Sequence, residues 1–137
     1  MPITQLITAP MMDVGLLIVR FFLGTFFIAH GYNKLKDKEA MVKWLNLIGY
    51  KPGIFWAWVL IITEFFGGLF VLFGLGTRLF ASMMTVVMVM GIYHRRTVKR
   101  LNFVEGWELN YMTLASTILL IIVGAGMISL DFYLGIT

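Results

Sequence analysis

Residues 54–74 form an apolar run that carries one charged side chain, Glu64, near its middle. The run is long enough to cross a bilayer as a helix. An acid at that depth costs about 2.5–3.5 kcal/mol on insertion scales, so it faces other helices, a cation or water rather than acyl chains. Glu64 therefore requires a partner, and the rest of the chain is read for what supplies it.

The chain has 137 residues, 60% of them hydrophobic and 13% charged, with a mean hydropathy of +0.89. That balance is too apolar for an ordinary soluble domain. Four runs match the hydrocarbon thickness, at about 14–32, 54–74, 79–93 and 109–128, the third being the shortest. The expected fold is all-α and integral to the membrane: a four-transmembrane-helix antiparallel bundle, one domain over residues 1–137.

The net charge of +4 does not point to nucleic acid, because of where the cations lie. Lys34, Lys36, Lys38, Lys43 and Lys51 fall between the first two runs, and Arg95, Arg96, Lys99 and Arg100 between the last two. Basic residues in short loops are retained in the cytoplasm. This predicts a multi-pass protein of the cell membrane with both termini, and the turn at 74–78, on the non-cytoplasmic side. The chain has no cysteine, which excludes thiolate metal sites, iron–sulfur clusters and disulfides within it. No metal site or intrinsic cofactor is expected. The first apolar run lacks a basic leader and a small-residue cleavage site, so it is expected to stay attached.

Residues 1–13 hold two prolines and little periodicity; they are expected to lie along the outer surface, with Asp13 capping a helix that starts at Val14. In the first run Arg20, Gly24, Phe27, Gly31 and Lys34 share one stripe at helical spacing. Arg20, about 9 Å inside the outer end, either snorkels to the headgroups or pairs with Glu64. Between the first two runs Met41, Trp44, Leu45 and Ile48 recur at helical spacing and stop at Gly49 and Pro52. This predicts a short amphipathic interfacial helix. Gly67 and Gly68, one turn from Glu64, permit close helix approach, with Gly24 a plausible counterpart. The methionines of the third run are read as adaptable packing.

Polar groups thus fall in two layers. His30, Lys34, His94, Glu108 and Asn110 share the cytoplasmic side, whereas Arg20 and Glu64 occupy the middle and outer half. His and Glu beside an apolar cavity suit a quinone head group and exchange of its protons; for His30 and His94 an ordinary interfacial position competes with that reading. The candidate polar-pocket residues are Arg20, His30, Lys34, Glu64, His94 and Glu108.

These motifs resemble the DoxX family of small four-span membrane proteins, to which the large subunit of thiosulfate:quinone oxidoreductase is related. The resemblance rests on Arg20 with Gly24, His30-Gly31 with Lys34, Glu64 with Gly67-Gly68, the 74–78 turn, Gly106 with Glu108, and Gly124-x-Gly126-x-x-Ser129-Leu130-Asp131. It implies a helical membrane bundle and, for some relatives, electron transfer to quinone or a place in a membrane oxidoreductase assembly. Three readings follow: a quinone-interacting subunit whose electron donor sits on a partner, a non-catalytic subunit that stabilises a larger complex, and a proton or small-solute path on Glu64. Membrane lipids and other membrane or peripheral subunits are the expected partners.

Overall fold

The computed structural model describes residues 3–136, with side chains from Pro10 onward, and contains helices and no strand among the described residues. In chain order these are α1 (Ile3–Lys36), α2 (Lys38–Leu47), α3 (Gly53–Ile61), α4 (Gly67–Phe73), α5 (Thr77–Tyr93), α6 (Glu108–Val123) and the single turn α7 (Leu130–Tyr133). A widened turn, Ile62–Phe66, joins α3 to α4 without a break, and Gly67 N–H reaches back five residues to Ile62 O. Another wide turn, His94–Val98, continues α5.

Three stretches are long and apolar enough to cross a membrane: Pro10–Lys36, Gly53–Phe73 and Phe103–Val123. The helix Thr77–Tyr93, at 17 residues, is shorter. Large apolar side chains cover the outside; Phe22 is 68% exposed, Leu79 63% and Ile122 71%. An exterior this apolar is suited to lipid and not to water. The core between the helices gathers Leu23, Phe27, Val71, Ala81, Met84 and Leu120.

Helix α1 corrects the expected start of the first span. Met1 and Pro2 lie outside the described residues, but from Ile3 the helix runs through Pro10 and Asp13 without interruption. Proline gives up one backbone hydrogen bond yet keeps a helical φ. Asp13 therefore does not cap the helix; its Oδ1 accepts the N–H of Met127 at 2.8 Å, tying α1 to the far end of the chain. The fourth run also ends early. Helix α6 stops at Val123 because Gly124 turns to φ 88°, and residues up to 128 form a loop.

Antiparallel packing of α1 on the α3–α4 segment is set by glycines. A Cβ on Gly24 would lie 2.9 Å from Gly68 O, and one on Gly68 2.9 Å from Gly24 O and Ile28 N. One on Gly31 would lie 2.7 Å from Phe65 Cα. Gly68 is thus the counterpart of Gly24, while Gly67 faces Phe80 and Met84 of α5. The backbones touch, which is how membrane helices gain dispersion contact where lipid removes the hydrophobic driving force.

At the end away from the basic loops, Asp131 holds the chain together. Its carboxylate accepts from Gly76 N–H at 2.6 Å and Thr77 N–H at 2.9 Å, capping α5, and its own N–H donates to Gly74 O at 2.7 Å. Arg20, 1% exposed, donates to Ile128 O in the same loop.

Gly31→Ala is expected to destabilise the protein by about 1–3 kcal/mol, as overpacking of a tight contact does. Gly15→Ala, with nothing within 4 Å of the added carbon, is expected to be neutral. Equilibrium unfolding in detergent compares the two.

Candidate functional site

The widened turn and the register of α1 together place Glu64 at a cavity. Glu64 is 2% exposed. Its Oε1 pairs with Lys34 Nζ, and its Oε2 has no hydrogen-bond partner. A turn closed over five residues instead of four shifts side-chain directions locally, and such turns recur at functional sites. The expected pairing of Glu64 with Arg20 does not form. Arg20 and Lys34 are 14 residues apart on one helix, about 21 Å of rise, and the Gly24–Gly68 contact sets Lys34, not Arg20, beside Glu64. Arg20 reaches neither Glu64 nor the headgroups by snorkelling; it turns into the loop that carries Ile128.

The cavity holds about 500 Å³ and is lined from α1 by His30 and Lys34, from the α3–α4 segment by Glu64, and from the wide turn that continues α5 by His94 and Arg95. Four of the six candidate residues therefore meet. Trp44 and Leu45 of α2 and Trp56 of α3 close one side, and Met88 and Asn110 another. The His30 ring lies 4.3 Å from that of Phe26, and Trp44 meets His94 edge to face at 5.3 Å. Asn110 Nδ2 rests on Met88 Sδ at 3.6 Å. The room for it comes from Gly91, where a Cβ would lie 2.7 Å from Nδ2. Most of the wall is apolar, and its polar groups converge from α1, the α3–α4 segment, the continuation of α5 and α6, the ordinary form of a small-molecule site.

Glu108 is elsewhere. Its Oε1 accepts the N–H of Glu105 at 3.1 Å, bracing a residue whose φ is 64°, and it does not line the cavity. Arg20 is likewise outside it.

A helix does form over the predicted stretch, as α2, with Leu45 buried, and it is joined to α3 by a specific contact: Asn46 Oδ1 accepts the N–H of Gly53 at 2.8 Å. This gives α2 a role the periodicity alone did not reveal, as a wall of the cavity. The signal was Gly53, where a Cβ would lie 2.5 Å from Val42 O. Among the described residues no cluster of three or more His, Asp or Glu is placed to hold a metal ion.

Replacing Glu64 or Lys34 by Leu leaves its partner's charge without compensation. With Lys34 26% exposed, each change is expected to cost about 1–3 kcal/mol, below the figure for a fully desolvated pair. The double substitution should cost less than the sum. Arg20→Leu with Glu64→Leu should instead be additive to within about 0.5 kcal/mol. Double-mutant cycles by unfolding in detergent read both.

The sequence matches the DoxX family over residues 15–95, more than half of the chain. That stretch contains His30, Lys34, Glu64 and His94, four of the ionisable side chains that line the cavity. A protein of Bacillus subtilis (strain 168) described as "Putative oxidoreductase CatD" is 30% identical over 120 residues, covering 87% of this chain and 86% of that protein. No solved structure matches significantly. The match across the cavity-forming helices, together with their length and apolar exterior, makes this chain a membrane protein of the DoxX family.

Proposed function

We propose that the protein is the membrane component of an oxidoreductase assembly and that the cavity between α1, α2, the α3–α4 segment, α5 and α6 receives a quinone head group. The observation that carries the reading is Glu64, buried and with Oε2 lacking a protein partner, at a wall shared with His30, Lys34 and Asn110. A buried acceptor left open asks for a donor from a ligand or water. The fit to a quinone is chemical: an apolar, aromatic wall for the ring and hydrogen-bond donors for its carbonyl oxygens. A quinone supplies two-electron chemistry coupled to proton uptake.

The chain's own residues bind and move protons. Lys34 and the amide of Asn110 donate toward a carbonyl oxygen, and His30 and Glu64 take up or release the accompanying proton. Trp44 and Trp56 exclude water from the same space. The description of the Bacillus relative supports an oxidoreductase setting. A chain without cysteine takes its electrons from a partner subunit.

The same reading places the chain as one membrane domain crossing four times. Helix α5 with its continuation to Val98 is about 33 Å long at 1.5 Å per residue, enough to span, and α2 lies at the cytoplasmic interface. Both termini are then outside, as the basic loops require.

Protein purified from its native membrane is expected to retain lipid quinone, detected by solvent extraction and mass spectrometry. Glu64→Gln and His30→Ala should each lower retention about tenfold, as loss of one buried hydrogen-bonding group does. Undiminished quinone in both variants would instead favour a non-catalytic assembly subunit. Because the chain has no native cysteine, single cysteines at Lys38 and Lys99 should label only from the cytoplasmic side, and one at Tyr133 only from outside.

A further inference from the structure

A second cavity, of about 710 Å³, lies at the opposite end of the bundle, framed by the start of α5, the glycine turn at 124–126 and α7. Its wall contains three charged side chains, Asp13, Arg78 and Asp131; the carboxylate of Asp131 is taken up by the N–H groups of Gly76 and Thr77, which leaves Asp13 and Arg78. They do not pair with each other: among the described residues the ion pair within 4.0 Å is Lys34–Glu64. Arg78 donates no side-chain hydrogen bond among the described residues, and Asp13 uses only Oδ1, on Met127 N–H.

These two charges each lie beside a glycine. A Cβ on Gly124 would lie 3.4 Å from Arg78 Nε, and one on Gly126 2.9 Å from Asp13 Oδ1. Each charged group therefore rests against one of two residues separated by about 7 Å of chain at most, a spacing that one headgroup carrying both charges can bridge.

The first turn of α5 adds donors. Asp131 takes the N–H groups of Gly76 and Thr77. Those of Arg78 and Leu79 belong to the same cavity wall and fall among the helix N-terminal donors that lack intrahelical partners. The hydroxyl of Thr77, a fully buried residue in that wall, also has no partner. Asp131 already answers part of the positive end of this 17-residue helix, and the N–H groups it leaves open are the ones that favour a further anion. Leu16, Val123 and Phe132 give the wall an apolar side, and the site lies at the end of the bundle away from the basic loops.

We propose that this cavity binds a phospholipid headgroup of the ethanolamine type. Its phosphodiester sits on Arg78 and the first turn of α5, its ammonium at the open oxygen of Asp13, and its glycerol and first acyl carbons along the apolar wall. Free phosphate leaves Asp13 facing a like charge. A choline headgroup offers Asp13 no N–H, and a glycerol headgroup offers it no cation. The site is independent of what the cavity at Glu64 holds.

The test is native mass spectrometry of the full chain released from bilayers of equimolar ethanolamine, choline and glycerol phospholipids. Ethanolamine lipid is expected to stay bound in excess of its bulk share. Arg78→Gln should reduce total retained phospholipid about tenfold, and Arg78→Lys should restore most of it. Asp13→Asn keeps an oxygen for Met127 N–H, so it should retain phospholipid while losing the preference for ethanolamine over choline. Arg96→Gln, in the loop at the other end, should change neither. Retention at bulk ratios by the parent, undiminished retention in Arg78→Gln, or a preference that survives Asp13→Asn would each overturn the proposal. So would displacement of the lipid by millimolar inorganic phosphate, which would make this a free-anion site. If Arg78→Gln does not fold, the Asp13→Asn comparison decides alone.

Discussion

A carboxylate inside an apolar bundle is tolerated only if something on a neighbouring helix answers its charge, and here that group is Lys34. Much of the structure follows from bringing these two side chains together. Glycines at 24, 31 and 68 let α1 and the α3–α4 segment touch backbone to backbone, and the contact sets a register in which Lys34 of one helix lies beside Glu64 of the other. The widened turn at Ile62–Phe66 carries the carboxylate, one oxygen of which meets the ammonium while the other is buried without a hydrogen-bond partner. Without the glycines the helices would stand farther apart, and a lysine near the end of α1 would not reach a buried acid.

The polar groups divide between the two ends of the bundle, with different work at each. Near the basic loops, His30, Lys34, Glu64 and His94, with Arg95, Lys99 and Asn110, converge on a space whose walls are mostly apolar, which is the arrangement for binding a small amphipathic molecule. At the other end, Arg20 and Asp131 secure the chain after α6 against the α4–α5 turn, Asp131 through the backbone N–H groups its carboxylate accepts and Arg20 through Ile128 O. Arg20 belongs to the architecture of that end and has no part in the cavity at Glu64. Between the two layers lies a core of Leu, Phe, Val and Met side chains that keeps them apart.

Several features were legible because they depend on local order along the chain. Helix α2 announced itself through Met41, Trp44, Leu45 and Ile48, and its stop through Gly49. The close approach of Gly24 and Gly68 followed from the need for small residues where membrane helices cross. Four of the six residues singled out as polar-pocket candidates share a cavity wall. The partner of Glu64 was misread because two cations, Arg20 and Lys34, lie on one stripe of α1, and helical spacing cannot choose between residues on the same face. Pro10 misled in another way: it suggested a break, but a helix can pass through proline at the loss of a single hydrogen bond.

The sequence by itself determined that the chain is helical and lives in a membrane, since length and hydropathy of a run depend on nothing beyond the run. It also determined that Glu64 needs compensation, because the cost of a buried charge is a property of the residue and its immediate surroundings. Which cation supplies that compensation, that α2 walls a cavity, and that Asp131 caps α5 from across the fold were decided only by tertiary structure. Each depends on the relative height of two helices, and that height is set by where backbones can approach, a quantity no single segment contains.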